Sequence, residues 1–320
     1  MIQVSNLVKK FGYVTAVDDI SFNVEKGEIL GFLGPNGAGK TTTMRVLTCF
    51  LKATSGKVTI AGHDVLNESI AVRQKIGYLP ESAPLYMDMR VDDYLKFIAR
   101  ARGVSKGEYT QRLDNIISSC GVASVIKKNI SELSKGFKQR VGLAQAMIHD
   151  PEILILDEPT SGLDPIQILE IRNLIQEIGK EKTVILSTHI LQEVSAVCSR
   201  IIIINNGRLI ADGALDSLRK EISHHNLSVF TINGPHDAVM NSLKEIEGVQ
   251  RIKSAEREEG GAVHYEIHTK PDVTIDEQVM RTCMSKGWQV IAIQHPEISL
   301  EEVFISFVER DNKNRGIKAA

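Results

Sequence analysis

Two groups of residues in this 320-residue chain have the types and spacing for chemistry on a polyphosphate. The first is Gly34-Pro35-Asn36-Gly37-Ala38-Gly39-Lys40-Thr41-Thr42, which fits the pattern G-x-x-x-x-G-K-S/T. It follows the apolar run Ile29-Leu30-Gly31-Phe32-Leu33 and precedes Met44-Arg45-Val46-Leu47. A strand therefore enters a glycine-rich turn that opens a helix, which is the context that separates a phosphate-binding P-loop from an ordinary glycine turn. Glycines let the backbone N–H groups curl inward with no side chain between them and a phosphate, and the helix adds its positive end to the same spot. Lys40 is placed to reach the β and γ phosphates, and the Thr41 hydroxyl to take a magnesium position.

The second group is acidic. Ile153-Leu154-Ile155-Leu156 runs into Asp157-Glu158, the mark of a central parallel strand with acids at its carboxyl end, where open α/β sheets bind ligands. Asp157 is placed to hold magnesium through water. Glu158 is read as the group that polarises an attacking water, against the plainer reading of a salt-bridged acid at a sheet edge. His189 stands just past a second buried strand, Thr183 to Ser187, at the same sheet end, and is read as a γ-phosphate contact, although a lone histidine is more often a satisfied core or surface group. Asp164 either has a role here or simply caps the helix that Pro165 starts. Phe11, beside Gly12, is placed to stack on a base or to join the core.

The elements that must position these groups follow from the apolar patterning. Ile2 to Leu7, Ala16 to Val24 and Gly56 to Ile60 alternate as half-solvated strands and form an antiparallel β flap. Ile76 to Leu79 is a buried strand halted at Pro80-Glu81. Val91 to Ala101 and Tyr109 to Cys120 show helical spacing, a helical insert that ends near Ser134, which caps a helix through Gln145. Ile201 to Asn205, Asn206-Gly207 and Arg208 to Ala211 make a hairpin with a type I′ signal. After Lys220, strands at Leu227 to Ile232, Val249 to Ala255, Val263 to Thr269 and Gln289 to Ile293 alternate with helices at Asp237 to Ile246 and Ile275 to Lys286. That order, β-α-β-β-α-β, is ferredoxin-like. A helix at Leu300 to Val308 precedes a polar tail expected to be disordered. The fold class is α/β with a small α+β C-terminal domain: 1–220, 221–310 and the tail 311–320.

Composition narrows the partners. Lys+Arg 38 against Asp+Glu 40 gives a net charge of −2, so no bulk positive field argues for nucleic acid. The four cysteines are scattered without metal-type pairing and read as buried residues in a reducing compartment. The chain opens on strand-like alternation rather than an export leader, and its apolar runs are too short to span a bilayer. A cytoplasmic location is expected, with any membrane role coming through a partner.

Taken together, the P-loop, Leu133-Ser134-Lys135-Gly136-Phe137-Lys138-Gln139-Arg140, Asp157-Glu158-Pro159-Thr160, Ser161-Gly162-Leu163-Asp164-Pro165 and Ser187-Thr188-His189, in that order, resemble an ATP-binding cassette (ABC) ATPase over about residues 1–220. The nearest likeness is to the ATP-binding subunits of bacterial drug, sodium and gliding-motility exporters, which also carry a small C-terminal domain. The resemblance implies a P-loop NTPase fold, ATP and Mg²⁺ as ligands, and a head-to-tail homodimer in which Ser134 and the Gly136 backbone meet the γ phosphate of ATP on the other copy. It also implies that Phe11 stacks on adenine, Glu158 is the base, His189 senses the γ phosphate, Asp164 links the two copies, and the insert from Leu85 to Leu133 receives a coupling helix from a membrane permease. The chain would then sit on the inner face of the membrane.

Two departures from the family pattern stand out. Lys135 and Phe137 take the first glycine and the glutamine of the usual signature, and Lys135 either adds charge near phosphate or points to solvent. Glu81 replaces the glutamine usually offered to magnesium; a carboxylate is a stronger magnesium ligand but repels phosphate. The rival reading is a non-transport cassette acting on ribosomes or DNA. The single P-loop and the lack of a coiled coil or basic stripe weigh against it. A third reading makes the C-terminal domain a small-molecule sensor.

Overall fold

The computed structural model describes residues 1–222, 227–254, 261–270, 273–295 and 300–315. In chain order the elements are β1 (Ile2–Phe11), β2 (Val14–Val24), β3 (Ile29–Leu33), α1 (Lys40–Leu47), β4 (Ser55–Ile60), β5 (His63–Asp64), α2 (Ser69–Lys75), β6 (Ile76–Leu79), α3 (Val91–Ala101), α4 (Lys106–Cys120), α5 (Lys135–Met147), β7 (Ile153–Asp157), α6 (Pro165–Gly179), β8 (Thr183–Thr188), α7 (Leu191–Val197), β9 (Arg200–Asn205) and β10 (Arg208–Gly213). They continue as α8 (Leu215–Ile222), β11 (Leu227–Asn233), α9 (His236–Lys244), β12 (Val249–Ser254), β13 (Ala262–Thr269), α10 (Asp276–Lys286), β14 (Gln289–Gln294) and α11 (Leu300–Asn314).

One sheet has the order β10-β9-β3-β8-β7-β6, with β9, β3, β8, β7 and β6 parallel and β10 antiparallel at the edge. Parallel strands need both faces covered, and β7 shows how: Leu154 and Leu156 enter one apolar cluster while Ile153 and Ile155 enter another. All four are fully buried, each contributing about 1.5–3 kcal/mol by leaving water. The first cluster holds the helical insert and α6. The second packs the main sheet against the antiparallel flap β2-β1-β4-β5. In this register Leu33 pairs with Thr188 and Asp157 with Ser187, so β3, β7 and β8 end side by side.

Local chemistry sets the boundaries. The Asn206-Gly207 turn has φ of +46° and +80°, as a type I′ hairpin requires. α4 begins before the apolar spacing does, because Ser105 and Glu108 form a reciprocal capping box. α5 is capped by the Ser134 side chain.

The contacts divide the chain into one unit of residues 1–215 and 307–320 and another of 216–306, earlier than the change of pattern at Lys220. Within the second unit, β11-α9-β12-β13-α10-β14 forms an antiparallel sheet of order β12-β13-β11-β14, a ferredoxin-like arrangement. Phe230, Tyr265 and Ile267 of its strands pack on Val239, Leu243 and Val279 of α9 and α10. Ala255, read as the last residue of a strand, and residues 316–320 of the tail lie outside the described residues.

The tail expected to be disordered from Asp311 departs from that expectation at its start. α11 continues to Asn314, and Asn205 Nδ2 donates to Asp311 Oδ2 at 2.6 Å and to Asn312 Oδ1 at 3.2 Å. Helical hydrogen bonds plus a buried partner hold these polar residues, where composition alone reads them as solvated.

Candidate active site at the carboxyl edge of the parallel sheet

The turn between β3 and α1 wraps a cleft of about 440 Å³ whose lining includes Asn36, Gly37, Ala38, Gly39, Lys40, Thr41 and Thr42. Glycine is required at two points. A Cβ on Gly34 would lie 2.4 Å from the Ile204 carbonyl oxygen, and Gly39, at φ +109°, would place one 2.6 Å from the Ala16 carbonyl oxygen. Lys40 is buried, with Nζ donating to the carbonyls of Gly34 at 2.8 Å and Pro35 at 3.2 Å.

β7 delivers the acids. Asp157 Oδ1 accepts from Thr41 Oγ1 at 3.2 Å and from Ser187 Oγ, while Oδ2 is buried without a hydrogen-bond partner. Burial pushes the Asp157 carboxyl above its ordinary range, opposed by the Ser187 and Thr41 hydroxyls and reinforced by the charges of Glu158 and Glu81. Glu81, exposed after β6, lines the same cleft. A buried unpartnered carboxylate oxygen beside a hydroxyl and a second carboxylate is an oxygen-only donor set of the kind hard divalent cations take.

Glu158 turns at φ +51°, a left-handed conformation unusual for a non-glycine residue, while its N–H is held by the Ser187 carbonyl at 2.9 Å. The turn aims its side chain back into the cleft. Oε1 lies 3.3 Å from Lys40 Nζ and Oε2 lies 2.8 Å from Nδ1 of His189, whose ring is 42% exposed. A carboxylate fixed on one side by an ammonium and on the other by an imidazole can orient a water and take its proton.

The other residues singled out in the sequence stand apart within the single chain. Ser134 and Gly136 line a separate cavity of about 250 Å³ against Gln167, and the Ser134 hydroxyl accepts from Phe137 N at 3.4 Å. Asp164 caps α6, accepting from Gln167 N at 3.0 Å. Phe11 is 47% exposed, and Lys9 Nζ lies 4.8 Å from its ring centre. Lys135 is exposed, yet its ammonium lies over Gly162, where a Cβ would approach to 2.1 Å. Phe137 packs on the first apolar cluster, so an apolar residue suits the position. Sequence reasoning placed Ser187 only at a strand end and in a motif with Thr188 and His189 and gave it no role of its own, yet its hydroxyl holds Asp157. The available signal was a polar residue closing the apolar strand that precedes His189.

A sequence profile for the ABC transporter family matches residues 17–161, and one for the C-terminal domain of DrrA1-3-like ATP-binding proteins matches residues 213–308. The chain is 33% identical to an ABC transporter ATP-binding protein of Bacillus subtilis, covering 96% of this chain and 99% of that one. It is 32% identical to the bacitracin transport ATP-binding protein of Bacillus licheniformis, covering 96% and 97%. Among solved structures, the ATP-binding subunit of an ABC transporter superposes with a TM-score of 0.64 at 30% identity, over 70% of this chain and 93% of that one. A dimeric bacterial ABC transporter cassette shares the fold with a TM-score of 0.62 at 24% identity, over 67% and 98%. With the P-loop, the strand-end acids and the parallel sheet in place, the chain belongs to the family of ABC transporter ATP-binding proteins, the ATP-hydrolysing subunits of these transporters.

Proposed function

We propose that two copies of the chain close head to tail on ATP, hydrolyse it to ADP and phosphate with Glu158 as general base, and use closure and reopening to drive a separate membrane permease of the exporter type. The observation that carries this reading is the clamp on Glu158, which sets its carboxylate between Lys40 and His189 at the mouth of the P-loop. Before turnover Lys40 neutralises that carboxylate. Once Lys40 turns to the β and γ phosphates, Glu158 is free to accept a proton from water lined up with the γ phosphorus. His189 contacts the γ phosphate from its exposed edge, and Phe11 stacks on adenine. Mg²⁺, held by Thr41, Asp157 and Glu81, would supply charge neutralisation of the phosphates.

The second copy contributes Ser134 and the backbone of Gly136, presented at the amino end of α5, with Asp164 linking the copies. A cassette of the same fold is dimeric, which supports the pairing of two copies. The permease contacts the insert from Leu85 to Leu133. No helix among the described residues is long and apolar enough to cross a membrane; the chain works on the inner membrane face through that partner.

Glu158→Gln should leave ATP binding intact and lower turnover by at least about 100-fold, the scale of a lost general base. Lys40→Ala should abolish binding of a fluorescent ATP analogue. Unchanged phosphate release by the Glu158 variant would remove the base assignment.

A further inference from the structure

α7 carries an acid into the interior that the phosphate cradle does not use. Glu193 is 1% exposed and forms no ion pair among the described residues. Its oxygens are divided between two loops. Oε2 accepts from Thr188 Oγ1 at 2.7 Å, and Oε1 accepts from Thr160 Oγ1. Both threonines are buried, at 0% and 3% exposure. Thr188 immediately precedes His189 and Thr160 lies two residues past Glu158, so one carboxylate ties the chain leaving β8 to the chain leaving β7. These are the two segments whose side chains meet at the 2.8 Å contact between His189 and Glu158.

The surrounding bonds tighten this junction. Thr188 Oγ1 also accepts from Ile190 N at 3.0 Å, and the Thr188 carbonyl accepts from Gly34 N at 3.4 Å, which joins the P-loop to the same point. Removing a carboxylate from water without a cation beside it is costly, and the cost is offset here by two hydroxyl donors. Both donors sit on the segments that carry the reacting pair, and both give their hydrogen bonds to this one carboxylate.

We propose that Glu193 is a positioning residue for ATP hydrolysis, holding Thr160 and Thr188 on one carboxylate so that Glu158 and His189 stay in register with the P-loop. The inference rests on the reading of Glu158 as the base. It assigns Glu193 no contact with nucleotide; its effect passes through the two threonines.

The test uses the full chain. Glu193→Gln preserves shape but presents a single acceptor oxygen, so kcat should fall roughly 10–100-fold, as for other groups that orient a reacting residue. KM for ATP and the affinity for a fluorescent ATP analogue should stay close to wild type. Thr160→Val and Thr188→Val should lower kcat in the same way, Thr160→Ser and Thr188→Ser should restore it, and Thr188→Val added to Glu193→Gln should cost little more than either alone. Wild-type kcat in Glu193→Gln, valine variants as active as the serine ones, or a loss of kcat that comes only together with lost nucleotide affinity and a lowered Tm would each overturn the proposal. Glu158→Gln assayed in parallel separates the two readings. If it is inactive while Glu193→Gln is fully active, only the positioning role fails; if it still hydrolyses ATP, the base assignment fails first.

Discussion

Glu158 is buried and His149 is partly buried with one ring nitrogen sealed from solvent, and they show how differently the sequence exposes such positions. Glu158 was legible because it follows a run of buried aliphatics at the end of a parallel strand, where a carboxylate has few reasons to be other than ligands. Its left-handed backbone and its place between Lys40 and His189 were not legible, since both depend on strands far apart in the chain. His149 gave no signal at all. Its Nε2–H donates to the Ile76 carbonyl at 3.0 Å, its Nδ1 is buried without a partner, and burial pulls its pKa down to about 4 from 6.5. Between those pH values the unfolded chain binds a proton that the folded chain refuses, so acid favours unfolding across that window and stability rises with pH through it. Urea midpoints measured from pH 4 to 7 should therefore climb more steeply for the wild type than for His149→Gln. Parallel slopes would show that the imidazole is not kept neutral by the fold.

At the scale of elements, the apolar periods placed the strands of the main sheet and the helices of the insert with small errors at the ends, and the errors have causes. α4 starts at Lys106 because Ser105 and Glu108 cap it, whereas its apolar spacing begins only at Tyr109. The pattern S-x-x-E was present, but periodicity outweighed it. The last turn of α11 was lost to a stronger cause, since Asp311 and Asn312 are polar and what orders them is Asn205, at the far end of β9. A contact between residues so distant in sequence leaves no trace in local composition. Replacing Asn205 with Ala should release that turn, read as faster amide exchange at residues 311–314, with the rest of α11 unaffected and a stability loss of about 1 kcal/mol. Unchanged exchange there would mean the helix holds its end without Asn205.

For the molecule as a whole, the ferredoxin-like order after the first unit was readable because each strand and helix is short, regular and joined to its neighbour in sequence. The candidate site was only half readable. Lys40, Thr41, Asp157, Glu158 and His189 converge within one chain because β3, β8 and β7 are adjacent and parallel. Ser134 and Gly136 line a different cavity, and among the described residues nothing within a single copy brings them to the P-loop. That separation is what a site completed by a second copy requires, with the amino end of α5 left to face outward. The proposed mechanism therefore requires ATP-driven pairing. Sedimentation velocity of the Glu158→Gln variant, across a range of protein concentrations with ATP and Mg²⁺, tests it most directly. A shift from one copy to two that depends on ATP, and that Ser134→Arg abolishes, is the predicted result; a single copy at every concentration would contradict it.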